Sequence, residues 1–124
     1  ELHGFEDGLI VHDDIYLDQF LRTPSGQLKL NDFNRARLMQ WDSDEEIYCK
    51  YYNGYIEGKD RSPEEYTDPP GNLNEKVDVF DMGDMFYGIL TGLHPFYFTY
   101  IKEAKRRLVK GERPFIDERW RKHS

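Results

Sequence analysis

Cysteine is almost absent from this chain: Cys49 stands alone. That excludes an internal disulfide framework and a zinc site built on cysteines, and it fits a reducing compartment. Long apolar runs are missing too. No stretch approaches the roughly 18 residues that cross a bilayer, and no signal-peptide pattern opens the chain, so no membrane segment is expected. Positive charge is scarce, with 17 Lys and Arg against 24 Asp and Glu and a net charge of −7. Binding nucleic acid through general basicity needs clustered cations on phosphates, so no nucleic-acid partner is expected. The one basic cluster, Lys102 to Lys110, falls in a helical stretch and reads as a solvated face. The four histidines show no metal-ligand spacing. Repeats and low-complexity segments are absent.

What is present suits a small acidic domain. The 124 residues are 38% hydrophobic and 15% aromatic, enough for one modest core. The chain opens on Glu1 rather than Met, so a piece of a longer protein is expected. Leu9-Ile10-Val11 is a β-prone run. Phe20-Leu21 and Leu28-Lys29-Leu30 flank Thr23-Pro24-Ser25-Gly26, which reads as a β-hairpin. From about Asn34 to Arg61 no period holds, and Tyr48, Tyr51, Tyr52 and Tyr55 crowd into it. A long ordered loop is expected there, with its tyrosines used for packing or partner contact rather than modification.

Ser62-Pro63-Glu64-Glu65 combines a capping hydroxyl, Pro at the first helical position and acids at the positive end of the dipole. Only a short helix fits before Pro69-Pro70-Gly71. Asn74 can cap the next helix, Glu75 to Thr91, where Val79, Met82, Phe86, Ile89 and Leu90 recur at helical spacing. Few polar residues face away from them, so this helix is expected to be largely buried, with Gly92 as its stop. A last amphipathic helix is expected from about Tyr100 to Lys110, ending at Gly111.

Asp14 follows the first strand and Asp32 follows the hairpin, so hairpin geometry can bring both carboxylates to one cleft. Each local segment has a plainer reading. His12-Asp13-Asp14 suits an acidic turn, Asp32-Phe33-Asn34 an ordinary turn, and Asp78 a first-turn acid complementing the helix dipole. The ordered set is more specific than its parts. Over about Leu9 to Pro114 it resembles the carboxyl half of a protein kinase catalytic domain. His12-Asp13-Asp14-Ile15-Tyr16-Leu17-Asp18-Gln19-Phe20-Leu21 resembles the catalytic loop H-R-D-L-x-x-x-x-N. Asp32-Phe33-Asn34 is similar to D-F-G, Ser62-Pro63-Glu64 to A-P-E, and Thr91-Gly92-Leu93-His94-Pro95-Phe96 to T-G-x-x-P-F.

The resemblance implies an α+β, kinase-like fold. Residues 1–124 would be part of the C-terminal lobe, mainly α-helical with a short β-hairpin at the catalytic loop. It implies ATP and Mg²⁺ as cofactors and transfer of a phosphoryl group to a protein hydroxyl, Ser or Thr before Tyr. On this likeness Asp14 is the catalytic base, Asp32 and Gln19 hold Mg²⁺, and Leu21 lies under the adenine ring. Asp78 matches the buried Asp that anchors the catalytic-loop backbone.

Several positions depart from the family pattern. Asp13 stands where an Arg receives an activation-loop phosphate, and a carboxylate there would repel one. Tyr16 stands where a Lys contacts the transferring phosphate. Gln19 replaces Asn, one methylene longer. Asn34 replaces a glycine and, among non-glycine residues, tolerates left-handed angles well. No Gly-rich loop, strand-borne Lys or partner Glu stands among the eleven residues before His12. The Arg that pairs with Glu64 in the family would lie beyond Ser124, leaving Glu64 unpaired and partly buried. These expectations describe a divergent kinase whose residues 1–124 do not turn over ATP alone. The alternative is a pseudokinase, an interaction module that keeps the fold without efficient catalysis.

Overall fold

The structure is a computed structural model and describes residues 2–4, 8–67 and 72–121. The turn expected at residues 69–71 lies outside these. Among the described residues the fold is α+β, with six short strands in three antiparallel pairs and three α-helices. Strand β1 (Leu9–Val11) pairs with β4 (Arg37–Met39), Leu9 opposite Met39. Strands β2 (Phe20–Arg22) and β3 (Leu28–Leu30) form the expected hairpin, closed where the Thr23 amide donates to the Gln27 carbonyl at 2.8 Å.

The stretch expected to be one long loop is more regular than that. It carries β4 and a two-residue hairpin, β5 (Trp41–Asp42) with β6 (Ile47–Tyr48). Its tail is tied down by mutual backbone bonds between Tyr51 and Leu73, both 3.1 Å. Strands this short carry too few residues for an apolar alternation to show.

Helix α1 (Lys76–Thr91) begins where the Lys76 amide donates to the Asn74 side chain at 3.0 Å. It stops at Gly92, whose φ of 72° only glycine adopts freely. Helix α2 (Ile101–Val109) matches the expected amphipathic segment, and Gly111 beyond it also has positive φ. Its basic face is partly engaged: Arg106 pairs with Glu103, Arg107 with Glu112, and Lys105 lies over the Tyr55 ring. A short α3 (Glu118–Arg121) follows, which no sequence pattern announced.

Helix α1 overturns one expectation. Its buried residues are Val77, Asp78 and Asp81, while Val79, Phe86 and Ile89 are more than half exposed. The helix is therefore turned with its acids inward. Carboxylates can satisfy loop amides that a hydrocarbon face would leave without partners, and this decides the orientation. Among the described residues nothing covers the apolar side. The chain exposes 8980 Å², against roughly 7000 Å² for a compact monomer of this mass.

Two small apolar clusters remain. Leu9, Val11 and Met39 pack with Tyr48 and Tyr51; Phe96, Ala104 and Leu108 pack with Tyr66 and Phe80. Between them the interior is polar, with His12, Asp13, Arg61, Ser62, Glu65, Asp78 and Asp81 all buried.

Candidate active site

The segment after β1 is fastened by its backbone. The Asp78 carboxylate accepts the His12 amide at 2.9 and 3.1 Å and the Asp13 amide at 2.8 Å. One helical turn on, Asp81 accepts the Ile15 amide at 3.1 Å. Residues three apart on a helix share a face, so these two acids grip the loop on either side of Asp14. Asp78 also takes a bond from the His3 ring at 2.8 Å. Buried carboxylates are costly unless bonded, and at Asp81 burial pushes the carboxyl up to about 8, against the opposing Ile15 amide.

His12 joins this loop to the Asp32 turn. Its Nε2 lies 2.9 Å from the Asn31 carbonyl, which can only accept, so Nε2 carries the hydrogen. The Phe33 ring meets the imidazole edge-on, with centroids 4.8 Å apart. The Asn31 amide donates to the Gln19 carbonyl at 2.8 Å, which sets the Asp32 turn beside Gln19.

Asp13 has the left-handed φ of 62° and is fully buried. Arg35 Nη2 holds its carboxylate at 3.0 Å and Arg35 Nε holds its carbonyl at 3.1 Å. The Asn53 amide donates to the same carboxylate and to the Arg35 carbonyl. Burial raises the Asp13 carboxyl, while the Asn53 bond and the charges of Arg35 and Arg61 pull it down. A carboxylate at this position thus finds its cation within the chain.

Asp14 itself is only partly buried. Its Oδ1 accepts from Arg61 Nη2 at 2.6 Å, and its Oδ2 lies 3.4 Å from Gln19 Nε2. It borders a cavity of about 780 Å³ together with Tyr16, Gln19, Asp60, Arg61 and Asp84. The structure therefore brings Asp14 and Gln19 to one cleft. Leu21 and Asp32 do not line it: Leu21 lies on β2, 53% exposed, and Asp32 caps the 3₁₀ turn Phe33–Arg35.

The two turns differ from expectation in which residue carries the strain and which acid is buried. The left-handed residue of the Asp32-Phe33-Asn34 turn is Asp32, with φ 57°, not Asn34, because the Asp32 carboxylate caps the Asn34 amide. The buried acid of the Ser62 turn is Glu65, not Glu64, because Glu65 turns back to accept the Ser62 amide at 2.8 Å while Glu64 faces solvent. An unpaired Glu64 therefore carries no burial cost.

Among the described residues no three His, Cys, Asp or Glu side chains converge on a metal site. A magnesium ion that keeps its waters and meets substrate phosphates needs only one or two protein oxygens. The exposed Asp32 carboxylate, engaged by one 3.4 Å bond, and the Gln19 amide oxygen fit that modest demand.

Arg35, Asn53 and Arg61 escaped the sequence reading. Glu65 was read only as a first-turn acid, though its spacing from Ser62 is that of a capping box, and Asp81 left one signal, its three-residue spacing from Asp78. Asp84 continues that stripe, and burial, with the neighbouring Asp60 charge, pushes its carboxyl up to about 7. The folded protein holds this proton to higher pH than the unfolded chain, so its contribution is complete below about pH 4 and is lost as pH rises through about 7. Asp84→Asn is expected to recover up to about 4 kcal/mol at pH 8, less what solvent screening in the open cleft removes, and almost none at pH 4 in chemical unfolding. Equal effects at both pH values would contradict this.

No family model matches the chain. Curated relatives nevertheless align over most of it. Probable serine/threonine-protein kinase ireA of Dictyostelium discoideum is 30% identical over 103 residues, 83% of this chain and 10% of that protein. Serine/threonine-protein kinase PLK4 of Danio rerio is 33% identical over 103 residues, again 83% of this chain and 10% of that protein. Probable serine/threonine-protein kinase nek2 of Dictyostelium discoideum is 26% identical over 126 residues, 99% of this chain and 28% of that protein. The chain spans about one tenth of the length of the first two. No helix among the described residues is long and apolar enough to cross a membrane.

Proposed function

The chain belongs to the protein kinase family, and from that premise we propose that residues 1–124 supply the catalytic loop, the activation segment and the following helices of a kinase C-terminal lobe. The full-length protein then transfers a phosphoryl group from ATP to a protein hydroxyl. The serine/threonine names of the relatives favour Ser or Thr over Tyr. One observation carries the reading. Asp78 and Asp81 hold the loop backbone on both sides of Asp14, so that the Asp14 carboxylate is left at the edge of the cleft.

In this role Asp14 orients the acceptor hydroxyl and takes its proton. Gln19 steadies the Asp14 carboxylate through Nε2, at 3.4 Å from Oδ2. Asp32 and Gln19 would hold Mg²⁺, which when bound neutralises phosphate charge. Leu21, exposed on β2, offers apolar surface for the adenine ring. Positioning and electrostatics suffice for this chemistry, since phosphoryl transfer asks little covalent help of the protein.

A pseudokinase reading stands beside it, favoured by the Arg61 guanidinium on the Asp14 carboxylate and by Asp32 lying outside the cleft wall. Transfer from MgATP by the full-length protein separates the two. Activity that falls about 100-fold or more in Asp14→Asn supports the kinase. Protein-partner binding with no transfer from wild type under Mg²⁺ or Mn²⁺ supports the pseudokinase.

A further inference from the structure

Resting on the kinase reading, we propose that Arg61 is a positioning residue for phosphoryl transfer. It reaches from the far end of the loop that precedes Ser62, holds the Asp14 carboxylate, and supplies the cleft with the positive charge that Tyr16 does not. Arg61 is 6% exposed, with Nη2 at 2.6 Å from Asp14 Oδ1 and Nη1 at 3.1 Å from the Asp13 carbonyl. Both contacts fix the guanidinium against the backbone and side chain of the base. Among the described residues it is also the one Lys or Arg lining the cavity, whose other charged walls include Asp14, Asp60 and Asp84.

Tyr16 is turned to serve this arrangement. Its hydroxyl donates to the Asp60 carbonyl at 2.8 Å, and its ring lies 5.3 Å from the Arg61 guanidinium. A cation over an aromatic face is attracted to it, and the bond to Asp60 fixes the backbone beside Arg61. The catalytic-loop position that lacks a cation therefore braces one brought from 45 residues away, the separation of Tyr16 and Arg61 in the sequence.

During transfer a bond forms from the acceptor oxygen to the γ-phosphorus, while the bond from that phosphorus to the bridging oxygen breaks. The electron pair leaves with ADP, and the hydroxyl proton passes to the Asp14 carboxylate. Arg61 occupies Oδ1, so Oδ2, met only by Gln19 Nε2 at 3.4 Å, is the oxygen that takes the hydroxyl proton, and the guanidinium offsets negative charge in a cleft otherwise poor in cations. A permanently charged, forked guanidinium suits both duties.

The test uses the full-length protein, MgATP and casein as acceptor. Arg61→Gln is compared with Arg61→Lys and with the double variant Arg61→Gln, Tyr16→Lys. Arg61→Gln is expected to lower kcat about 100-fold with KM for ATP within about twofold of wild type. Arg61→Lys should retain more activity, and Tyr16→Lys should restore much of the loss by returning a cation from the loop. Melting temperatures report any purely structural role. Near-normal kcat in Arg61→Gln would overturn the proposal, as would a loss that tracks the melting temperature and that Tyr16→Lys leaves unrelieved. Wild type that binds MgATP but transfers nothing would instead overturn the kinase reading itself, and the role of Arg61 with it.

Discussion

Arg35→Ala is expected to lower stability by about 3–5 kcal/mol at pH 8. Asp13 is fully buried, and the two groups that hold its carboxylate are Arg35 and Asn53. Without the guanidinium a charge is stranded in the interior, and two further bonds go with it, those to the Asp13 and Asn53 carbonyls. The loss must depend on pH. Burial already raises the Asp13 carboxyl and Arg35 opposes that rise, so the variant raises it further. A raised carboxyl is harmless while protonated and penalises folding once the unfolded chain can ionise it. The deficit should therefore grow from pH 5 to pH 8 in chemical unfolding. Asp13→Leu with Arg35→Met, which removes charge and partner together, should cost much less. A pH-independent loss below about 1 kcal/mol would show that the pair behaves as an exposed one.

Asp78→Ala ranks next, at roughly 2–5 kcal/mol, since it leaves the buried His12 and Asp13 amides without an acceptor and each orphan costs about 1–3 kcal/mol. The direct readout is amide exchange. The His12 and Asp13 amides should be among the slower ones in wild type and should exchange rapidly in the variant, while the Tyr51 and Leu73 amides, paired with each other at 3.1 Å, stay protected. Asp78→Asn keeps one acceptor oxygen and should fall between. Unchanged exchange at His12 and Asp13 would mean that the loop is held by something other than Asp78.

The fold was legible where local chemistry decides it. Thr23 to Gly26 announced a hairpin, Asn74 and Gly92 bracketed α1, and Gly111 closed α2. Legibility failed where distant partners decide. The apolar repeat of Val79, Met82, Phe86, Ile89 and Leu90 was a sound helix signal, but it named the wrong buried face. Asp78 was expected from the resemblance to anchor the loop backbone and does so, but nothing near Asp81 says that the Ile15 amide, 66 residues earlier, will need it. In the site, Asp14 shares its cleft with Gln19, whereas Asp32, expected beside Asp14, caps its own turn outside the cleft lining. Arg61 is 47 residues from the carboxylate it holds, so no local pattern could have found it. Asp13 stood out as a departure, yet its cation, Arg35, was visible only once the chain was folded.

The polar interior has a calorimetric consequence. Unfolding wets nine buried apolar side chains but also seven buried polar or charged ones, as counted among the described residues. Apolar exposure raises heat capacity and polar exposure lowers it. The two contributions partly cancel, so the heat-capacity step should be small for a chain of this length. A small step flattens the curve of stability against temperature. What stability the protein has should accordingly change little between a cold room and body temperature.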